Sequence, residues 1–210
     1  MKIAFALYES FTLLDIIGPF QVLTGIPGVE AAFVAESRGG VLDHTGLGTL
    51  VATRSFDEFR DPDIVVVPGG MGTEKLIPAK HPILDWIRAV HPGTTWTTSV
   101  CTGSLLLAGA GLLEGLEATC HWAALEQLRA LGAKPTLERV VFQGRIVTAA
   151  GVSSGIDMGL ALVQRLSGTP LAQAIQLAIE YDPQPPVDAG SPTKAPAEIV
   201  ALVRGMMATA

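Results

Sequence analysis

The chain has 210 residues, 49% of them hydrophobic and 16% charged, which is apolar surface enough for one large core with some left to bury between subunits. Its formal net charge is −6, and with no cluster of Lys and Arg it offers no track for nucleic-acid phosphates. Two cysteines and four singly scattered histidines (His44, His81, His91, His121) make no disulfide framework and fit no structural zinc spacing, so no metal site is expected.

The first segment, MKIAFALYES, has one Lys and a short apolar run without a cleavage site, and reads as a first strand rather than a leader. LLDIIGPFQVLTG follows with apolar residues at helical spacing; Gly18-Pro19 should bend or restart that helix. VEAAFVAES is a second strand, VLDHTGLGTLVATRS a hairpin, and DIVVVPGG a fully buried strand ending in a glycine pair. HPILDWIRAVHP is an amphipathic helix closed by Pro92. TTWTTSV is the next strand, and a long apolar helical pattern starts directly behind Cys101. HWAALEQLRALG is a helix stopped at Gly132, and ERVVFQGRIVTAA is a hairpin around Gln143-Gly144. SSGIDMGLALVQRLSG, with Ser153 or Ser154 as its cap, and PLAQAIQLAIEY are two further helices. Residues 183–210 form a proline-rich extended tail and a last short helix, appended to what reads as a single domain over 1–210. No stretch approaches the roughly 20 apolar residues of a spanning helix, so a soluble cytoplasmic protein is expected.

Strands alternating with helices predict an α/β fold, a mostly parallel central sheet covered by helices on both faces. Ligands of such sheets bind beyond the carboxyl ends of the strands. Asp15, Gly69-Gly70 and Cys101 all fall there, so three strand ends converge on one crevice. Cys101 stands between a strand and a helix start, the place of a nucleophile elbow. The N–H groups and partial positive charge of the helix start predict a thiolate near neutral pH. Asp15 interrupts an apolar segment and needs a partner or a shifted pKa. Its position predicts a proton carrier aimed at the sulfur, and its alternative role is a helix cap. Gly70, together with the N–H of Thr102, is a candidate cradle for charge developing on a substrate; the pair Gly69-Gly70 also suits a tight turn. His121 is a candidate base beside Cys101, and Cys120 a small core residue or a resolving thiol. No Gly-x-Ser-x-Gly pattern supports a serine hydrolase.

These segments resemble the ThiJ/PfpI superfamily, with its flavodoxin-like sandwich shared with class I glutamine amidotransferases. The likeness runs from KIAFALYESFTLLDIIGP through DIVVVPGG, TSVCTGSLLLAGAGLLEG and ATCHW to TAAGVSSGIDMGLAL. It is strongest toward the isonitrile (isocyanide) hydratase branch, through Asp15 where many members carry Glu, and through the tail IEYDPQPPVDAGSPTKAP. Thr102 stands where protease-like members have His, and His121 is the last histidine, so neither a peptidase nor an amidotransferase triad fits. The resemblance implies a homodimer acting on a small uncharged isonitrile, with neither a metal nor an organic cofactor and no nucleic-acid or membrane partner. It implies Cys101 as nucleophile, Asp15 as proton carrier and Thr102 as a further catalytic and substrate-binding group. Work on reactive aldehydes, glyoxalase-like or deglycase-like, is the alternative reaction. A redox-sensing or chaperone-like protein oxidised at Cys101 is the alternative outside catalysis.

Overall fold

Ile64–Val67 is four β-branched residues in a row, a run that must be covered on both faces. In the computed structural model, which describes residues 1–208, it forms β6, the central strand of a seven-stranded sheet. In chain order the elements are β1 (Lys2–Ala6), α1 (Leu13–Leu23), β2 (Glu30–Ala35), β3 (Gly39–Leu42), β4 (Thr49–Ala52), β5 (Arg54–Ser55), β6 and α2 (Thr73–Leu76). Then come α3 (Pro82–Val90), β7 (Trp96–Val100), α4 (Gly103–Gly109), β8 (Glu117–Ala118), α5 (Leu125–Ala130), β9 (Lys134–Pro135), β10 (Val140–Gln143) and β11 (Ile146–Ala149). The last three are α6 (Ser154–Ser167), α7 (Thr169–Ala178) and α8 (Ala197–Ala208).

The large sheet has the order β10-β11-β7-β6-β1-β2-β5. Every pairing is parallel except that of β10 with β11, the hairpin around Gln143-Gly144. β3 and β4 form the other expected hairpin, as a separate ladder. From β1 the chain goes one way to β2 and the other way to β6. The crevice between β1 and β6 is therefore a topological switch point. Helices flank the sheet: α1 packs on α6 and α6 on α7, while α4 packs on α2, α3 and α5. Ile3, Phe5, Ile64, Val66, Leu106 and Leu162 are fully buried between them. Contacts divide the chain into two units, Met1–Ile179 and Glu180–Ala210. The first holds both hairpins and the large sheet. The second holds the proline-rich segment and α8, where Ile199 and Leu202 are exposed.

Several local expectations give way to tertiary geometry. α1 runs through Pro19 without interruption, because packing on α6 outweighs one missing N–H; Gly18 lets Ile156 of α6 come close. α4 has only seven residues. Gly111, at φ +80°, turns left-handed, and Leu112 N–H bonds back to Leu107 O, which ends the helix early. Neither serine caps α6: Ser153 makes no capping bond, and Ser154 Oγ donates to Ala150 O. The helix expected at His121 opens with a 3-10 turn before α5.

Gly103, the first residue of α4, lies directly on the end of β6: a methyl group there would meet Val67 O at 2.3 Å and Pro68 C and O at 2.8 Å. Gly103→Ala should therefore destabilise the protein by about 1–3 kcal/mol through overpacking against backbone. Gly93→Ala, with open space around the added methyl, should be neutral or stabilising by roughly 0.4–1 kcal/mol. Urea melts of the two variants against the parent check the contrast.

Candidate active site

The crevice collects the ends of four strands adjacent in the sheet. Asp15 comes from α1 behind β1, Gly69-Gly70 from the loop behind β6, Cys101-Thr102 from the turn behind β7, and Val152 from the turn behind β11. The structure thus brings together the three groups that the sequence places at strand ends. Val152 is an addition.

Cys101 has φ +58°, an uncommon conformation for a residue with a side chain. Its N–H is held by Ala149 O at 3.1 Å and Ala150 O at 2.9 Å, the end of β11. The elbow is thereby pinned to the neighbouring strand, and the residue is only 6% exposed. The backbone N–H groups of Val152 and Thr102 face the sulfur and draw its pKa down. They do not prevail. Burial pushes the thiol well above its ordinary range, and the Asp15 charge pushes it further. The expected resting thiolate is therefore corrected to a neutral thiol: a seven-residue helix and two N–H groups do not offset the lost hydration.

Asp15 is fully buried in the first turn of α1, and Thr12, not Asp15, is the residue at the cap position. Its Oδ2 accepts a hydrogen bond from Gly69 N–H at 2.8 Å, a bond across the switch crevice from the loop after β6. Burial raises its pKa to about 7; the Gly69 bond and the Cys101 thiol hold it from rising further. Although the thiol influences the carboxyl, Oδ1 has no partner with good hydrogen-bond geometry. One carboxyl oxygen is therefore fixed by Gly69, and the other is buried without a hydrogen-bond partner.

Gly69 and Gly70 are glycines for steric reasons. A methyl group on Gly69 would lie 2.5 Å from Thr102 N and Oγ1 and 3.0 Å from Asp15 Oδ2. On Gly70, at φ +157°, it would strike Ser10 O at 2.3 Å. The cradle expected of Gly70 is corrected as well. Gly70 N–H donates to Thr102 Oγ1 at 2.9 Å, so it orients the threonine and is not a vacant donor. The Thr102 N–H faces Cys101 itself.

His121 stands against the Gly151–Val152 turn; a methyl on Gly151 would meet its Cδ2 at 2.6 Å. Its Nδ1 accepts from Ala123 N–H at 3.3 Å, so Nε2 carries the hydrogen and the ring is a donor. Burial lowers its pKa, which keeps it neutral. A base with its available nitrogen already protonated cannot take the thiol proton. Cys120 is buried, with its pKa pushed up to about 12 chiefly by burial, and lies near enough to influence Cys101. Val152, at φ +27°, escapes sequence reading because its contribution is a backbone N–H. The only outward sign is its place behind the strand next to β7. Among the described residues no group of three His, Cys, Asp or Glu side chains is arranged to hold a metal.

A family model described as the DJ-1/PfpI family matches residues 1–165. Over 200 residues, 95% of this chain and 87% of the relative, the sequence is 42% identical to the isonitrile hydratase of Pseudomonas putida. A crystal structure of a ThiJ/PfpI family protein from Pseudomonas syringae is 36% identical, with a TM-score of 0.93 over 99% of this chain and 86% of that one. Drosophila melanogaster DJ-1beta, 18% identical, shares the fold with a TM-score of 0.76 over 85% of this chain and 97% of its own.

The raised carboxyl pKa makes Asp15 a cost to stability that depends on pH. Its folded value near 7 lies above the ordinary 3.8. The folded state therefore gains from the retained proton below pH 3.8 and loses that gain as pH rises through 7. At 1.36 kcal/mol per unit the loss is on the order of 4 kcal/mol. Asp15→Asn, which cannot ionise, should be relatively more stable at pH 8 than at pH 4, as read from thermal melts at both. In a Cys120→Ser background, thiol absorbance should show no Cys101 thiolate at pH 8, and adding Asp15→Asn should bring the thiolate in at lower pH by removing a like charge. A thiolate at pH 7 in the single variant would contradict this account.

Proposed function

The chain belongs to the DJ-1/PfpI family, and we propose that within it this protein is an isonitrile hydratase, converting R–N≡C and water to the formamide R–NH–CHO. The likeness to the Pseudomonas putida enzyme over nearly the whole length of both chains supports the reaction. The buried pair of Cys101 and Asp15, with a carboxyl pKa near 7, supports the residues that carry it.

The pair suits an uncharged substrate. A neutral thiol beside a carboxyl whose pKa burial raises to about 7 holds a movable proton in a site almost closed to water. As the Cys101 sulfur adds to the terminal carbon, its proton passes to the Asp15 carboxylate. Asp15 then returns a proton to the same carbon, giving the thioimidate R–N=CH–S–Cys101. The carboxylate, regenerated, takes a proton from water as its oxygen adds to that carbon, and protonates the nitrogen. Collapse of R–NH–CH(OH)–S–Cys101 breaks the C–S bond, returns the hydroxyl proton to sulfur and releases R–NH–CHO. The open Oδ1 of Asp15 is the oxygen that exchanges protons, while Oδ2 stays anchored to Gly69. The N–H groups of Thr102 and Val152 stabilise the sulfur as charge develops there.

The protein is further proposed to act as a cytoplasmic homodimer. Leu14 on α1 and Leu42, Leu47 and Val51 on and around the β3–β4 hairpin are all exposed, Leu47 by 91%. They give an apolar face suited to a second copy. Both cysteines are unpaired, which suits a reducing compartment, and no helix of the described residues is long and apolar enough to cross a membrane.

With an aryl isonitrile the protein should release the N-aryl formamide, and with methylglyoxal it should release no lactate. Cys101→Ala should abolish formamide release, and Asp15→Asn should lower it by roughly 10²–10⁴-fold, with thermal melts showing both variants folded. Activity in the alanine variant would remove Cys101 from the chemistry. Sedimentation at micromolar concentration should give twice the 21.9 kDa chain mass; a 21.9 kDa species would exclude the dimer.

A further inference from the structure

Behind the site lies a row of three hydroxyls that the cycle above leaves unused. Tyr8, just after β1 and 3% exposed, reaches Pro68 O at 2.9 Å and Thr73 Oγ1 at 3.0 Å. Thr73, the first residue of α2 and fully buried, reaches Gly70 O at 2.8 Å and Thr102 Oγ1 at 3.1 Å. Thr102 Oγ1 accepts from Gly70 N–H at 2.9 Å and makes only a long contact, 3.4 Å, to Gly70 O. Of the three, Thr102 is the one that is partly exposed. Its Oγ1 and Asp15 Oδ2 both lie within 3.0 Å of a single point above Gly69.

The hydrogen count is informative. Each hydroxyl has one hydrogen to give. In one arrangement Tyr8 donates to Pro68 O, Thr73 to Gly70 O and Thr102 to Thr73. In the other, every hydrogen turns the opposite way: Tyr8 donates to Thr73, Thr73 to Thr102, and Thr102 into the cleft. No heavy atom has to move between the two. In the second arrangement Thr73 and Thr102 each accept from the hydroxyl behind and donate onward in one direction, with Tyr8 as the first donor, which polarises and strengthens the last bond. Burial and the neighbouring Asp15 charge hold the Tyr8 phenol protonated, so the head of the row is a donor.

We propose that Tyr8 and Thr73 are positioning residues of the reaction, which turn the Thr102 hydroxyl into a donor to the thioimidate nitrogen. The proposal rests on the thioimidate reading above. An isonitrile carries no lone pair on nitrogen, so it gives a donor there nothing to bind. The nitrogen acquires its lone pair when the C–S bond forms. A hydrogen bond to that nitrogen withdraws electrons from the C=N carbon and favours water addition. The row therefore acts on the second half of the cycle and not on the first. Asp15 serves the carbon and the water; Thr102 serves the nitrogen.

The division between the two halves makes the test specific. Thr73→Val keeps the shape and removes the hydroxyl, Tyr8→Phe removes the head of the row, and Thr73→Ser keeps the hydroxyl. Each is to be assayed with an aryl isonitrile, with melts confirming the fold. Quenched samples are read by intact mass spectrometry for Cys101 carrying one substrate. Thr73→Val and Tyr8→Phe should lower kcat on the order of 3- to 10-fold, form the Cys101 adduct at the parent's rate and accumulate it at steady state; Thr73→Ser should behave as the parent. Unchanged adduct lifetimes in Thr73→Val and Tyr8→Phe, slower adduct formation, or a Thr73→Ser variant as slow as Thr73→Val would overturn the proposal. No adduct on parent enzyme at any time, with turnover surviving in Cys101→Ala, would instead overturn the thioimidate reading, and the proposal with it.

Discussion

A carboxyl group buried without a counter-charge organises the whole active end of this molecule. Among the described residues no cation acts on Asp15; one backbone N–H, from Gly69, and a thiol do. Removing a carboxylate from water costs more than one such bond returns, so the group keeps its proton to near neutrality. The consequences spread outward. Gly69 has to approach so closely that no side chain fits on it, and Gly70 has to sit against Ser10 and Phe11. The same buried setting raises the Cys101 thiol, which leaves the two groups sharing a proton instead of holding opposite or like charges.

Topology explains why so dry a site is assembled from such distant residues. Parallel strands release the chain at a common end of the sheet, and at the switch between β1 and β6 adjacent loops diverge and leave a gap. The Gly69–Asp15 bond spans that gap. The Cys101 N–H, bonded to Ala149 and Ala150, ties the elbow to β11 on the other side. Short helices suffice behind such an elbow because the strands and the loops fix its position.

Much of this was legible in the sequence where a residue type contradicts its surroundings. Asp15 in LLDIIGP, a cysteine at a strand-to-helix joint and a glycine pair after four β-branched residues each point to the crevice. The strand-helix alternation gives the parallel sheet for the same reason: buried strands and amphipathic helices have different periods. What stayed hidden is of two kinds. Backbone donors have no residue signature, so neither Val152 nor the commitment of Gly70 N–H to Thr102 could be read from the letters. The sign of the Cys101 shift is set by the depth at which packing buries it, whereas a helix start in the sequence carries only the smaller, opposing effect. Tyr8 and Thr73 belong to the second kind as well, since neither hydroxyl shows a partner until the stretch after β6 packs Thr73 against Tyr8. The small strands β5, β8 and β9 and the single-turn α2 carry too few residues for any period to show.

The four loops that supply the site follow β1, β6, β7 and β11, neighbours in the middle of the sheet, while β2 and β5 on one flank and β10 on the other contribute none of these residues. The fold thus separates the strands that carry the site from those that only extend the sheet. Lineages that lengthen the outer strands, splice a module into the β10–β11 turn or shed the two-residue β5 would leave the reacting groups where they are. Any insertion between β6 and β7 has to be accommodated without moving the Gly69 loop relative to the Cys101 elbow. Evolutionary novelty in this architecture has room at the margins of the sheet and very little at its centre.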